Sequence, residues 1–295
     1  MEVFQNHSDM ILQKNHISIF KVNWNDKAYN IKQIAEELNI GLDSIVFVDD
    51  SEFETDFVRN MLPEVETLCF KTNGTFQSYY NLFYFGLFDT LSITDEDYKR
   101  NETYRMEKMR KKLMNSFSNL DEYYYSMNME INIGFADQLS IPRIAQLTHK
   151  TNQFNLTNKR YSELDIWNFS NNPQYNVVYL RLKDRLSDYG IVGVCILHYS
   201  NFEVVFDTFL LSCRVLGRKV EEAFLAECLK ISMMQGIKWA VGIYRKTERN
   251  AQVESLYTCN GFEMVSSSPD GSVYKFDIGK FRCTIPGFFK ISTEY

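Results

Sequence analysis

Two groups of residues have the types and spacing to do chemistry. The first is Lys27 with the adjacent acids Asp49 and Asp50. Neighbouring carboxylates suit a hard cation such as Mg2+, which takes oxygen ligands and keeps several waters. A lysine beside them neutralises a bound phosphate. The second is the run Ser212-Cys213-Arg214-Val215-Leu216-Gly217-Arg218-Lys219. Basic neighbours and the amides of a helix start lower a thiol's pKa and favour the thiolate at Cys213. The same free N–H groups, with Arg214, Arg218 and Lys219, bind an anion. Each group also has a plain reading: Lys27 a surface lysine, Asp50 a helix cap, Cys213 an inert buried thiol.

A third stretch, Thr148 to Tyr161, holds Asn152, Gln153, Asn155 and Thr157, residues that do not build an apolar core. It is either a polar loop or one wall of a polar pocket. Asn250 and Tyr257 follow later, Tyr257 as a proton donor or as a packing aromatic. His149 is a candidate base on a predicted helix, and the chain offers no clear Ser-His-Asp set.

These residues need elements to position them. Ala28–Leu38 has a helical apolar stripe at Ile31, Ile34, Ala35 and Leu38. Residues 45–48 form a short continuous apolar run, as in a buried parallel strand, ending at Asp49-Asp50. Ligands of open α/β sheets sit at that carboxyl edge. Phe53–Leu62 reads as a second helix, stopped before Pro63. Tyr98–Met114 is rich in charge and reads as a solvated linker helix capped by Thr94. A short helix follows near Leu120–Ser126.

From Met129 onward strands dominate: Met129–Gly134, then after a helix over Ile141–Gln153, Val177–Leu182, Ile191–Leu197 and Val204–Leu211. Val220–Gln235 is a strong helix stopped at Gly236. Trp239–Ile243 is a strand, and Ala251–Asn260 a helix capped by Asn250 and stopped at Gly261. Asp270-Gly271 turns the last hairpin.

The 295 residues are enough for one large or two ordinary domains. Net charge is −6, so no bulk attraction to nucleic acid or an anionic membrane is expected. No apolar run reaches the roughly 18 residues of a membrane span, and the N-terminus lacks the basic and apolar regions of a signal peptide; a cytoplasmic location is expected. The six cysteines contain no Cys-x-x-Cys pair. Reduced thiols are expected, without a structural zinc.

The run from Trp24 through Lys27 to Asp49-Asp50 and Leu62-Pro63-Glu64-Val65 resembles the FkbH-like family, which joins a HAD-superfamily phosphatase module to a GNAT-like module. So do Lys150 to Thr157, Ser212 to Arg218 and Gly261-Phe262. The resemblance covers nearly the whole chain. It implies an α/β protein: a partial HAD-like Rossmannoid segment over residues 1–94, a helical linker over 95–128, and a GNAT-like mixed α/β acyltransferase domain over 129–295. Lys27 matches the HAD lysine, and Asp49 and Asp50 its metal-binding acids.

HAD phosphatases carry Asp-x-Asp-x-Thr on their first strand, and this sequence begins past that position. The remaining Asp95-Glu96-Asp97 is followed by Tyr98. No phosphatase turnover is therefore expected without a complementing half or an upstream segment. GNAT enzymes hold the coenzyme A pyrophosphate with Arg/Gln-x-x-Gly-x-Gly/Ala. Here the last small residue is Lys219, so the single phosphodiester of an acyl carrier protein's phosphopantetheine fits better.

The resemblance further implies transfer of a glyceryl-type or other small polar acyl group from a small phosphorylated donor to that carrier protein. In this reading Cys213 carries the acyl thioester and Tyr257 protonates the leaving thiolate. Asn152, Gln153, Asn155 and Thr157 line the acyl site. Arg214, Gly217, Arg218, Lys219 and Asn250 hold the phosphopantetheine. A homodimer is a further expectation. A coenzyme A-dependent N-acetyltransferase and a non-catalytic carrier-binding module are the alternatives.

Overall fold

The computed structural model describes residues 11–38, 40–70, 80, 86–89, 106, 109, 110, 112–283 and 285–294. The chain divides into two compact units, Met1–Lys111 and Lys112–Tyr295, so the division falls inside the stretch expected as linker. Thr94, Asp95 to Asp97 and most of the expected helix Tyr98–Met114 lie outside the described residues. Among the described residues no helix is long and apolar enough to cross a membrane.

The first unit has α1 (Lys27–Leu38), β1 (Val46–Asp49), α2 (Glu52–Met61) and β2 (Glu66–Cys69). The two strands pair in parallel, Val46 with Glu66 through Asp49 with Cys69. Ala28, Ile31, Val58, Leu62 and Val65 form the core beneath them. The cap of α2 is Ser51, whose side chain accepts the Glu54 N–H at 3.3 Å. This corrects the plain reading of Asp50 as the cap; Asp50 is exposed.

The second unit is a single mixed sheet of eight strands between two helical layers. Its elements are α3 (Leu120–Met127), β3 (Met129–Phe135), α4 (Ile141–Lys150), α5 (Glu163–Ser170), β4 (Tyr175–Lys183), β5 (Asp188–Ser200), β6 (Glu203–Leu211), α6 (Val220–Met234), β7 (Trp239–Arg245), α7 (Leu256–Cys259), β8 (Glu263–Ser268), β9 (Gly271–Asp277) and β10 (Phe289–Glu294). The strand order is β10-β3-β4-β5-β6-β7-β9-β8. β3 to β6 run antiparallel in sequence, whereas β6 and β7 are parallel.

Both sheet faces are buried, so β5 reads as continuously apolar. Its Val192, Cys195 and Leu197 pack with Phe224, Leu225 and Leu229 of α6. Ile191, Val194 and Ile196 pack with Ile144 and Leu147 of α4 and Ile166 of α5. At the β5–β6 register shift Ile196 pairs with Thr208 and Leu197 with Phe206, so Asp207 is an extra residue that bulges β6 and breaks the alternation of its faces.

Two expected helices differ. α4 stops at Lys150 instead of Gln153, because residues 154–156 are drawn into backbone pairing with β6. The helix expected over Ala251–Asn260 is a 3-10 turn, Ala251–Val253, followed by the four residues of α7. Asn250 does not cap it, since its side chain is spent elsewhere. α5 and β10 were not legible from periodicity.

Candidate functional site

β6 and β7 run side by side only at their starts. Glu203 to Phe206 pair with Trp239 to Gly242, after which the strands part. β6 continues to Leu211, still paired with β5 on its other edge. Two parting parallel strands leave backbone N–H and C=O groups facing a gap, and such groups must find partners when buried.

Residues 154–156 fill that gap as a strap. The Leu156 N–H donates to the Phe209 carbonyl at 3.1 Å, and the Leu211 N–H to the Phe154 carbonyl at 3.0 Å. On the far side the Arg245 N–H donates to the Leu156 carbonyl at 2.7 Å. The strap therefore stitches both strands together, with Asn155 opposite Leu210. Phe154 and Leu156 are buried in the main core.

Polar side chains hold the strap in place. Asn155 is fully buried; its amide group donates to the Thr151 carbonyl and accepts from the Thr157 and Asn158 N–H groups. Thr157 donates to the Asp207 carbonyl at 2.9 Å. The Asn250 amide group donates to the Asn155 carbonyl at 2.9 Å and to the Arg245 carbonyl at 2.8 Å. Its oxygen accepts from the Thr247 N–H and the Tyr244 hydroxyl. The Arg160 guanidinium donates to the carbonyls of Thr148 and Thr151 and to the side chains of Asn152 and Asn158. Much of the polar run thus satisfies its own backbone. Gln153, half-buried, makes no side-chain hydrogen bond among the described residues.

Tyr257 stands where the strands part. Its ring lies against Gly242 of β7, where an added Cβ would come within 2.6 Å of it. Phe206, Phe262 and Tyr274 surround it, with ring centroids 6.3, 5.0 and 5.4 Å away. The residue is fully buried, and its hydroxyl has no hydrogen-bond partner among the described residues. Burial pushes the phenol well above its ordinary pKa, with nearby Cys195 adding to the rise and the Ile243 N–H opposing it. The hydroxyl is a protonated donor with nothing to donate to. Packing and proton donation are therefore compatible at this residue.

The anion loop lies at the other end of β6. Cys213 opens a 3-10 turn, Cys213–Val215, and is half-buried. β6 runs five positions on from Phe206 to its end at Leu211, roughly 17 Å of extended strand, and Cys213 lies just beyond it. Cys213 and Tyr257 are thus placed at different levels of the gap. Gly217 and Lys219 take left-handed backbone, φ +73° and +61°, just before α6. Lys219 is exposed, and the Arg214 Nε donates to the Ser212 hydroxyl at 3.2 Å.

Arg218 is turned inward. It donates to the Tyr189 hydroxyl at 2.6 Å and to the Arg214 carbonyl at 2.9 Å, and pairs with the buried Asp184 at 3.6 Å. It shapes the loop from within instead of pointing at a ligand. At the first turn of α6 the Glu221 carboxyl has one oxygen buried without a partner. Burial raises its pKa, its own N–H lowers it, and Glu222 raises it further. Sequence reasoning passed over Glu221.

It also passed over Asp207, a charge inside the apolar strand β6. Asp207 accepts from the Tyr161 hydroxyl at 2.5 Å, pairs with Lys159, and accepts from Thr208. An acid in an apolar run is the signal that would have found it. His149 is exposed on α4.

In the first unit the Lys27 ammonium meets the Asp49 carboxylate at 3.2 Å. Burial pushes the Asp49 carboxyl up, but the Ser51 N–H and Lys27 outweigh it and hold it below its ordinary value. No group of three or more His, Cys, Asp or Glu able to hold a metal occurs among the described residues. One or two carboxylates with water suffice for Mg2+, so Asp49 and Asp50 fit it only as a partly hydrated ion.

Fold and site define a mixed α/β domain built around a parted parallel strand pair. The solved structures it resembles include N-acetyltransferases, some described as of the GNAT family, and a phosphatase domain. One is the ribosomal-protein-S18-alanine N-acetyltransferase of Escherichia coli, 13% identical over 50% of this chain and 94% of that one, with a TM-score of 0.40. Another is the PaiA N-acetyltransferase of Thermoplasma acidophilum in complex with coenzyme A, 16% identical over 50% and 98%, TM-score 0.37. A third is the N-terminal part of protein BF1531 of Bacteroides fragilis, containing a phosphatase domain complexed with Mg. It is 38% identical over 31% of this chain and 24% of that one, TM-score 0.28. No protein-family model matches the chain, and no curated protein does.

Proposed function

We propose that the chain is an acyltransferase of the FkbH-like kind, which passes a small polar acyl group to the phosphopantetheine thiol of an acyl carrier protein. The observation that carries this reading is the buried, unpartnered Tyr257 hydroxyl between β6 and β7. When an incoming nucleophile attacks a thioester carbonyl, the C–S bond breaks and the leaving thiolate needs a proton. A phenol kept protonated by burial supplies it. Arg214, Gly217 and Lys219 hold the arm's single phosphate at the far end of β6, with Arg218 fixing the loop from inside. Cys213 stands at that same end, roughly 17 Å or more along β6 from the level of Tyr257. An acyl group held there as an enzyme thioester is passed on in a separate step, in which the departing Cys213 thiolate is stabilised by the neighbouring Arg214 and takes no proton from Tyr257. Asn152 and Gln153 face the acyl group, beside the strands to which Thr157 and Asn250 bond through the Asp207 and Arg245 carbonyls.

In the first unit Asp49 and Asp50 hold Mg2+ and Lys27 the phosphate of the acyl donor.

Mass spectrometry of the protein mixed with phosphoglyceryl donor and carrier protein tests the reading. A loaded carrier, with a covalent adduct lost in Cys213→Ala, supports it. Full loading by Cys213→Ala removes the covalent role alone. No loading, together with acetyl-coenzyme A binding by calorimetry, turns the assignment to an N-acetyltransferase.

A further inference from the structure

Tyr257 is fully buried, so a thiol that reaches its hydroxyl must first displace something. The strap is the element to displace. It lies between the parted strands, and it is held to them by three backbone hydrogen bonds, two to β6 and one to β7. The pairing with β6 is incomplete. Leu156 gives its N–H to Phe209, but the Leu156 carbonyl accepts from Arg245 of β7 rather than from the Phe209 N–H. A full antiparallel pair exchanges both bonds. The seven pairs of adjoining strands in this sheet each pair over at least four residues.

The bonds that the strap makes define what can replace it. They consist of one N–H donor, serving Phe209, and two carbonyl acceptors, serving Leu211 and Arg245. A pantetheine arm is an extended chain with two amides, and so has two N–H donors and two carbonyls. Adding an extended amide chain to an open strand edge is a general mode of recognition.

We infer that residues 154–156 are an exchangeable strap, which leaves the gap between β6 and β7 when a pantetheine arm enters and takes over its backbone hydrogen bonds. This rests on the acyl-pantetheine reading above. The strap keeps the donor hydroxyl of Tyr257 dry until an arm arrives, and Asn250 sets how firmly it is seated through its bond to the Asn155 carbonyl.

Amide-resolved hydrogen exchange on the full-length wild-type protein tests this, with millimolar phosphopantetheine as the probe and binding followed by calorimetry. Strap exchange predicts a split. The Leu156 N–H loses protection at least tenfold when the probe binds, while the Leu211 and Arg245 N–H groups, bonded to the arm instead, keep theirs. Binding with Leu156 protection unchanged overturns the strap and leaves the acyl-pantetheine reading standing. Loss of protection at all three amides together overturns it as well, since that is plain local opening. No binding of phosphopantetheine, free or on a carrier protein, overturns both.

Discussion

The side chain of Asn250 donates a hydrogen bond to the backbone carbonyl of Asn155, 95 positions away, at 2.9 Å. This contact ties the polar run that follows α4 to the turn that follows β7. All four hydrogen bonds of the Asn250 side chain go to groups around the gap. Replacing it by alanine leaves two carbonyls, one N–H and one hydroxyl without their partner. Each buried group so stranded costs about 1–3 kcal/mol before water or relaxation helps. Asn250→Ala is expected to lower stability by about 3 kcal/mol in urea denaturation.

Tyr257 is expected to behave in the opposite way. Its hydroxyl is buried without a partner, so removing it relieves a desolvation cost. Tyr257→Phe should be as stable as the parent or slightly more so. If the hydroxyl protonates the leaving thiolate, transfer should nonetheless fall about 100-fold or more. Thermal denaturation beside single-turnover loading of a carrier protein separates these effects. A large loss of stability would show that the hydroxyl has a bonding partner, such as the nearby Ile243 N–H, and unchanged transfer would leave Tyr257 in packing alone.

The buried tyrosines also fix an alkaline limit. Tyr257 is pushed well above a tyrosine's ordinary value, and Tyr199 is pushed up to about 12, in both cases chiefly by burial. A group whose folded pKa is raised contributes stability in full below the unfolded value and loses it as pH rises through the folded one. Stability should be flat up to about pH 10 and fall progressively above it. Circular dichroism and tyrosine absorbance followed together check this. In Tyr257→Phe the fall should be shallower.

Arg218 and its neighbours should divide by what they touch. Removing Arg218 takes the cation away from the buried Asp184, which keeps only the neutral donors Leu186 N–H, Ser187 N–H and Tyr189 hydroxyl; breaking a buried ion pair in this way typically costs about 3–5 kcal/mol. Arg218→Ala should therefore unfold at distinctly lower denaturant. Lys219→Ala, at an exposed position, should leave stability within about 0.5 kcal/mol and weaken carrier binding. Calorimetry with phosphopantetheinylated carrier protein measures the second effect.

Glu221 gives the same loop a pH dependence. Its raised pKa means that it gains a proton earlier than an ordinary glutamate as pH falls. A charged carboxylate at the start of α6 opposes a bound phosphate, and a neutral one does not. Carrier affinity should rise roughly threefold to tenfold between pH 7 and 5. Glu221→Gln should bind more tightly at pH 7 and lose that dependence. Glu222, Arg214 and Lys219 are the same in both proteins and serve as the common background.

The strands around the gap were legible because burial on both faces writes itself as apolar runs. Glu203–Leu211 and Trp239–Arg245 were readable to within a residue or two. Gly236 and Gly261 were readable as stops because each takes left-handed backbone, φ +73° and +81°. α5 escaped notice although Ser162 and Asp165 form a capping box, because only Ile166 of its residues is fully buried and its apolar stripe is weak. β10 escaped because it pairs with β3 from the far end of the chain.

By itself the sequence determined which residues are polar where a core is expected, and which glycines and cations follow β6. It determined that Lys27 and Asp49 belong together, and their ammonium and carboxylate do meet. Only the tertiary structure decided how these residues are spent. Asn155 and Leu210, the strap and its strand, are distant in sequence, so no local pattern announces their pairing. Arg218 carries the same charge as Lys219 and stands next to it, yet one is buried against Tyr189 and Asp184 and the other faces solvent. The reason is directional. Charge and hydrogen-bonding capacity belong to the residue type, but a partner within 3 Å is supplied by whichever distant segment packs alongside.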